Sequence, residues 1–136
     1  MRALFDKCNV WKRWVQVYQS GKHISDYFII NNYKKIAIYG MADVGDFLCR
    51  ELVNSNINVK YGIDLSRKFC SIDIPIRTPD EIDDDLDVII VTALSSFSDI
   101  FDMLLIKIND PNKIIGLDEV LASLIVEDKN EMEKQG

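Results

Sequence analysis

The stretch KKIAIYGMADVGDFLCREL, residues 34–52, decides the fold. Its short apolar run from Ile36 to Tyr39 stops at Gly40, and Gly45 follows in the same turn. Val44, Phe47, Leu48 and Leu52 then recur at i, i+3, i+4 and i+8, which marks one face of a helix. Strand, glycine turn and helix in this order form the frame of a G-x-G-x-x-G turn, whose backbone N–H groups and helix N-terminus can receive a pyrophosphate. Here the middle glycine is Ala42, and Asp43 follows it. A methyl group at 42 crowds the approach of a phosphate, and a carboxylate at 43 repels it. The competing reading is a strand–helix turn whose glycines serve packing alone.

Outward from this stretch, strands and helices alternate. Val59, Tyr61 and Ile63 alternate in a second strand that ends at Asp64. Residues 72–76 form a short third strand. Thr78-Pro79-Asp80-Glu81 reads as a capping box with proline at the first helical position, and Asp83-Asp84-Asp85 limits that helix to a turn or two. Residues 87–92, DVIIVT, are an unbroken apolar run suited to the centre of a parallel sheet. Ser96 and Asp99 make a second capping box before a helix bearing Ile100, Phe101, Leu104, Leu105 and Ile108. Asp110-Pro111-Asn112 is a turn, residues 113–117 are a fifth strand, and Asp118 caps a last helix with Val120, Leu121, Leu124 and Ile125.

Upstream, Val10, Trp11, Trp14, Val15 and Tyr18 define an apolar helix face, and Gly21 stops the helix. A second short helix spans about Ile24 to Ile30, with Tyr27, Phe28 and Ile30 as contacts, and Asn31-Asn32 ends it. The expectation is an α/β fold with three layers. A parallel sheet of about five strands, in the order 3-2-1-4-5 set by right-handed crossovers, carries an N-terminal helical extension. The boundaries are 1–33 for the extension, 34–126 for the Rossmann-like domain and 127–136 for a polar, frayed tail. The link at residues 65–71 is too short for a crossover helix.

Bulk properties exclude several classes. A chain of 136 residues suits one domain with a proper core. A net charge of -6 opposes nucleic acid or an anionic membrane surface as a partner. No apolar stretch reaches the length of a membrane span, and the N-terminal residues lack the apolar core of a secretory signal. Cys8, Cys49 and Cys70 are widely spaced and form no CxxC pair, which speaks against a disulfide framework or zinc site. A cytoplasmic protein without a metal is the expectation.

In such a sheet a ligand sits beyond the carboxyl ends of the strands, at the switch between strands 1 and 4. The candidate binding residues are Gly40, Met41, Ala42, Asp43, Val44 and Gly45 in the turn, Asp64, and Thr92, Ala93 and Leu94 after strand 4, with Ser95 beside them. Asp64 follows Gly45 by about 20 residues, the offset of a ribose-binding acid. Leu117-Asp118-Glu119 would join them from strand 5. The blander reading of Asp64 is a solvated acid at a strand end, and that of Arg67 and Lys68 an exposed basic pair. The acidic run from Asp80 to Asp87 reads as solvated surface.

No convincing catalytic set emerges. Tyr18 and Lys22 match Y-x-x-x-K but precede the first strand, where a dehydrogenase pair would follow the glycine turn. His23 reads as a solvated histidine and Cys49 as a small packed hydrophobe. Ser95, Ser96 and Ser98 fit helix capping, and no G-x-S-x-G elbow occurs.

The segments WKRW, NNYKKIAIYGMADVG, VKYGID, IPIRTPDEI and DVIIVTA together resemble the small Rossmann-like domains encoded among bacterial surface-polysaccharide and glycosyltransferase genes. Similar domains are appended to some glycosyltransferases and sugar-modifying methyltransferases. The resemblance runs from about Trp11 to Val126. Gly40, Gly45 and Asp64 match its pattern, while such domains usually carry glycine where Ala42 stands. It implies NAD(P) or nucleotide-sugar binding and a role in building or modifying surface glycans. Two alternatives stand beside it. One is a non-catalytic interaction module with a degenerate site, forming a homodimer or binding a glycan-biosynthesis partner through the Trp11/Trp14 helix. The other is a small sugar-nucleotide oxidoreductase completed by a partner.

Overall fold

Five short apolar runs pair side by side because parallel β-branched segments satisfy one another's backbone while helices cover both faces. The computed structural model describes residues 2–66 and 73–125, with side chains from Asn9 onward. The strands are β1 (Ile36–Tyr39), β2 (Val59–Ile63), β3 (Ile76–Arg77), β4 (Val88–Val91) and β5 (Ile114–Gly116). They form one sheet in the order β3-β2-β1-β4-β5, parallel throughout, as the alternation of elements predicts. The helices are α1 (Arg2–Gln19), α2 (Ser25–Ile30), α3 (Asp43–Asn54), α4 (Phe97–Ile108) and α5 (residues 117–125).

Strand alternation sends side chains to two cores. Ile36, Ile38, Val88, Ile90 and Ile115 meet α1, α2, α3 and α5 on one face. Ala37, Tyr39, Ile89, Val91 and Ile114 meet α4 on the other. The three layers follow directly: α3 crosses from β1 to β2 on one side, and α4 from β4 to β5 on the opposite side. Residues 78–87 complete the second face over β2. Leu86 is buried there, and the Arg77 guanidinium lies 4.1 Å from the centre of the Tyr61 ring.

β2 breaks the simple alternation. Ile36 pairs with Val59, but Ala37 pairs with Tyr61, so Lys60 is one residue extra on β2. Val59 therefore faces the first core while Tyr61 and Ile63 face the second. A bulge moves every later side chain to the other face.

The N-terminal helices belong to the same core as the sheet. Val10, Trp14 and Val17 are buried with Ile24 and Phe28 against β1, β4 and β5. The face expected to include Val15 and Tyr18 is rotated: these two are 54% and 45% exposed, while Val17 is fully covered. Trp11 is half-buried and stacks on Trp14 with ring centroids 5.5 Å apart. Ile30, expected as a contact of α2, is exposed, and Ile24 takes that role from the preceding turn. On α3 the buried stripe is Gly45, Leu48, Cys49 and Leu52. Phe47 is half-exposed and touches the Trp11 ring edge-on at 5.3 Å.

Gly21 and Asn32 close their helices with φ of 82° and 56°, the left-handed turn that glycine and asparagine adopt at least cost. The Thr78–Glu81 capping box forms, but around a single 3₁₀ turn. The proposed Ser96–Asp99 box does not: residues 94–96 are a 3₁₀ turn, and Ser96 makes no side-chain cap. β5 runs straight into α5, so Asp118 lies inside the first helical turn and is not its cap. β3 is confined to Ile76 and Arg77; residue 72 lies outside the described residues, as do Arg67, Lys68, Cys70 and the expected tail.

The acidic run is more than a solvated surface. The Asp87 carboxylate accepts the backbone N–H groups of Lys34 and Lys35 at 2.7 and 2.9 Å, pinning the entry of β1 to that of β4. These two bonds hold its carboxyl below the usual carboxylate range. Asp85 receives Lys35 at 2.7 Å and Lys60 at 3.3 Å, and Asp83 receives Arg77 at 3.0 Å.

Candidate functional site

The sheet's carboxyl edge opens into a cleft of about 300 Å³ where β1 and β4 diverge into their loops. Its lining comes from Gly40, Ala42, Val44 and Gly45 of the turn, Asp64 after β2, Thr92, Ala93, Leu94 and Ser95 after β4, and Val10 of α1. Eight of the ten residues predicted from sequence therefore meet in one place. Met41 and Asp43 do not line it. Met41 is buried and packs over Gly62, where a Cβ would stand 2.7 Å from its sulfur. Asp43 sits exposed in the first turn of α3.

Backbone requirements explain both glycines. Gly40 has φ of 97°, and a Cβ there would lie 2.6 Å from the Thr92 hydroxyl. At Gly45 a Cβ would overlap the Gly40 carbonyl, so α3 can approach the turn only with glycine at that position. Ala42 needs no such freedom. It precedes α3 with φ of −74° and ψ of −157°, an ordinary extended conformation, and its carbonyl accepts the first helical bond from Asp46 at 2.9 Å. The substitution of alanine for glycine thus leaves the turn unstrained and puts one methyl group in the cleft wall. The N–H groups at the start of α3 have no partner within the helix, the usual condition of a helix N-terminus.

Asp64 organises the turn. One carboxylate oxygen accepts the Met41 N–H at 3.1 Å; the other accepts the backbone N–H and hydroxyl of Ser66 at 2.9 and 2.7 Å. The Gly40 N–H donates to the Ile63 carbonyl at 2.8 Å, which extends the β1–β2 ladder to the edge of the cleft. The Thr92 hydroxyl donates to the Gly40 carbonyl at 2.7 Å, joining the loop after β4 to the turn after β1. Among the described residues, Asp64 is the one titratable side chain in the lining. Asp43 and Asp46 stand in the first turn of α3, and Asp46 pairs with Arg50 at 3.1 Å.

The other sequence candidates lie elsewhere. The Tyr18 ring meets His23 edge-on at 5.2 Å. Burial and then the Glu51 carboxylate push its phenol up to about 12. Lys22 donates to the Leu124 carbonyl at 3.1 Å, at the far end of α5. Tyr18 and Lys22 thus serve different neighbours. Asp118 joins Asn9, Val10, Arg13 and Leu94 around a separate hollow of about 190 Å³.

Val10 is the lining residue missed in the sequence. Its apolar spacing with Trp11 and Trp14 marks a helix face, but nothing local says that this face reaches the cleft. Comparison of the chain with protein-family models, curated proteins and solved structures finds no match.

Proposed function

We propose that this chain is a Rossmann-type nucleotide-binding domain that holds its ligand in the cleft between the Gly40–Gly45 turn and the loop after β4. The supporting observation is the convergence of three features on that cleft: a left-handed glycine turn opening a helix, an acid at the end of β2, and an apolar wall from Ala42, Val44, Ala93 and Leu94. A small-molecule site needs such an apolar pocket with a few fixed polar groups. The sequence resemblance supplies the ligand classes, NAD(P) or a nucleotide-sugar, and the setting, synthesis or modification of bacterial surface glycans. An oxidoreductase would need a general acid or base within reach of the reacting atoms. Asp64 is already engaged in holding the turn, so turnover would draw that group from a partner.

Thermal-shift measurements with NAD, NADP, nucleotide-sugars, nucleosides, coenzyme A and S-adenosylmethionine test this reading. A ligand at 100 times its Kd adds about 2.7 kcal/mol, which raises the midpoint of a domain this size by several degrees. Ala42→Leu should abolish the shift, because position 42 faces the cleft and its backbone accepts any L-residue. No shift with any compound would favour the interaction module. Trp14 is buried and unavailable to such a module, so its surface would be the exposed Val15, Tyr18 and Phe47 beside Trp11.

A further inference from the structure

We infer that the cleft takes a single nucleoside bearing little or no negative charge, in preference to a dinucleotide or a pyrophosphate-linked sugar. This inference rests on the nucleotide-binding reading of the cleft and replaces the two ligand classes that the resemblance suggests, NAD(P) and nucleotide-sugars, with a smaller and less charged one.

Size is the first ground. The cleft's volume of about 300 Å³ lies at the lower bound of the roughly 300–1,000 Å³ typical of small-molecule sites. A dinucleotide would continue across the carboxyl edge, from the β1 side to the β5 side. Two side chains stand on that path. Val10 and Leu94 line both the cleft and the hollow beside Asp118, so together they form the partition between them. Val10 is 4% exposed and packed into the same core as Trp14 and Val17, so the partition is anchored in the fold.

Charge is the second ground. A pyrophosphate at the turn would meet Asp64 in the lining, with the exposed Asp43 in the first turn of α3 outside it and Asp46 there paired with Arg50. Acids in that turn already occupy the favourable field of the helix N-terminus, which would otherwise attract the anion. Among the described residues, no lysine or arginine lines the cleft. A neutral or cationic nucleoside keeps the apolar wall and the ribose-facing acid without this repulsion.

Calorimetric titration of the full chain with the four ribonucleosides, their 5′-diphosphates, NAD and S-adenosylmethionine decides the matter. The expected result is binding of at least one nucleoside, or of S-adenosylmethionine, at least tenfold tighter than the corresponding diphosphate, with NAD weaker still. Asp43→Asn should then strengthen the diphosphate about two- to fivefold and leave the nucleoside unchanged. A diphosphate or NAD that binds as tightly as its nucleoside would overturn the inference while sparing the nucleotide-binding reading. Binding of none of these compounds would overturn both.

Discussion

The hydroxyl of Thr92 donates to the carbonyl oxygen of Gly40 at 2.7 Å, bridging two loops 52 residues apart. The same hydroxyl lies 3.1 Å from the Tyr39 carbonyl, and the Thr92 N–H bonds that carbonyl at 2.9 Å. One side chain thus fixes the distance between the two lips of the cleft. Thr92→Val removes the donor and leaves the half-buried Gly40 carbonyl short of a partner. Such a loss costs about 1–2 kcal/mol, read as a fall in the denaturant midpoint at unchanged slope. Thr92→Ser should recover most of it. A loss in Thr92→Ser with none in Thr92→Val would mean that the methyl group, not the hydroxyl, matters.

Gly45→Ala sets helix propensity against a backbone clash. Alanine in a helix interior is ordinarily better than glycine by about 1 kcal/mol. Here the added Cβ would strike the Gly40 carbonyl, which is backbone and cannot rotate away. A net destabilisation of about 2–3 kcal/mol is expected. Gly21→Ala is the contrasting case: φ is 82° but nothing lies within 4 Å of the added atom. Its cost should be strain alone, about 1 kcal/mol. Chemical denaturation of the two variants checks the ranking.

Asp87 makes stability depend on acid pH. Its carboxyl is held below its ordinary value by the N–H groups of Lys34 and Lys35, so the unfolded chain binds a proton more readily than the folded one. The contribution is therefore fully present above the unfolded value near pH 4. It disappears as pH falls through the lower folded value. Discounted for solvent exposure, it amounts to about 1 kcal/mol. Asp87→Asn should be less stable than the parent at pH 7 by that amount, with the gap closing as pH falls below the ordinary aspartate range. A gap that stays constant with pH would rule out the charged carboxylate as its source.

Trp14→Ala tests whether α1 is an appendage or part of the core. Truncating a buried tryptophan costs about 3–5 kcal/mol. Because Trp14 shares a core with β1, β4 and β5, that cost should appear in a single unfolding transition of the entire chain. Val15→Asp, on the same helix at a 54% exposed position, should change stability by less than about 0.5 kcal/mol. Two separate transitions in the Trp14 variant would show that α1 docks independently of the sheet.

Much of the fold was legible because its signals are local. A β-branched run ending at Gly40, the apolar spacing after Gly45 and the unbroken run of Val88–Val91 each involve neighbours along the chain. Their alternation, joined to the handedness of crossovers, is enough to order the strands. The glycine turn and Asp64 were legible for the same reason: turn chemistry and a fixed offset are properties of spacing.

Amino-acid order alone therefore determined the element sequence, the all-parallel sheet and the residues at its carboxyl edge. Tertiary structure decided which way each element turned. The rotation that buries Val17 and exposes Val15 and Tyr18 depends on how α1 docks on α3 and the sheet. The extra residue at Lys60 inverts the facing of Val59 against Tyr61, although these two are separated by the two positions that would put them on one face of a regular strand. Val10 reaches the cleft only because α1 packs over the turn at residues 94–96, more than eighty positions away in the chain. Periodicity reports an apolar face, but the partner of that face is set by contacts between distant segments, whose closeness no local pattern encodes.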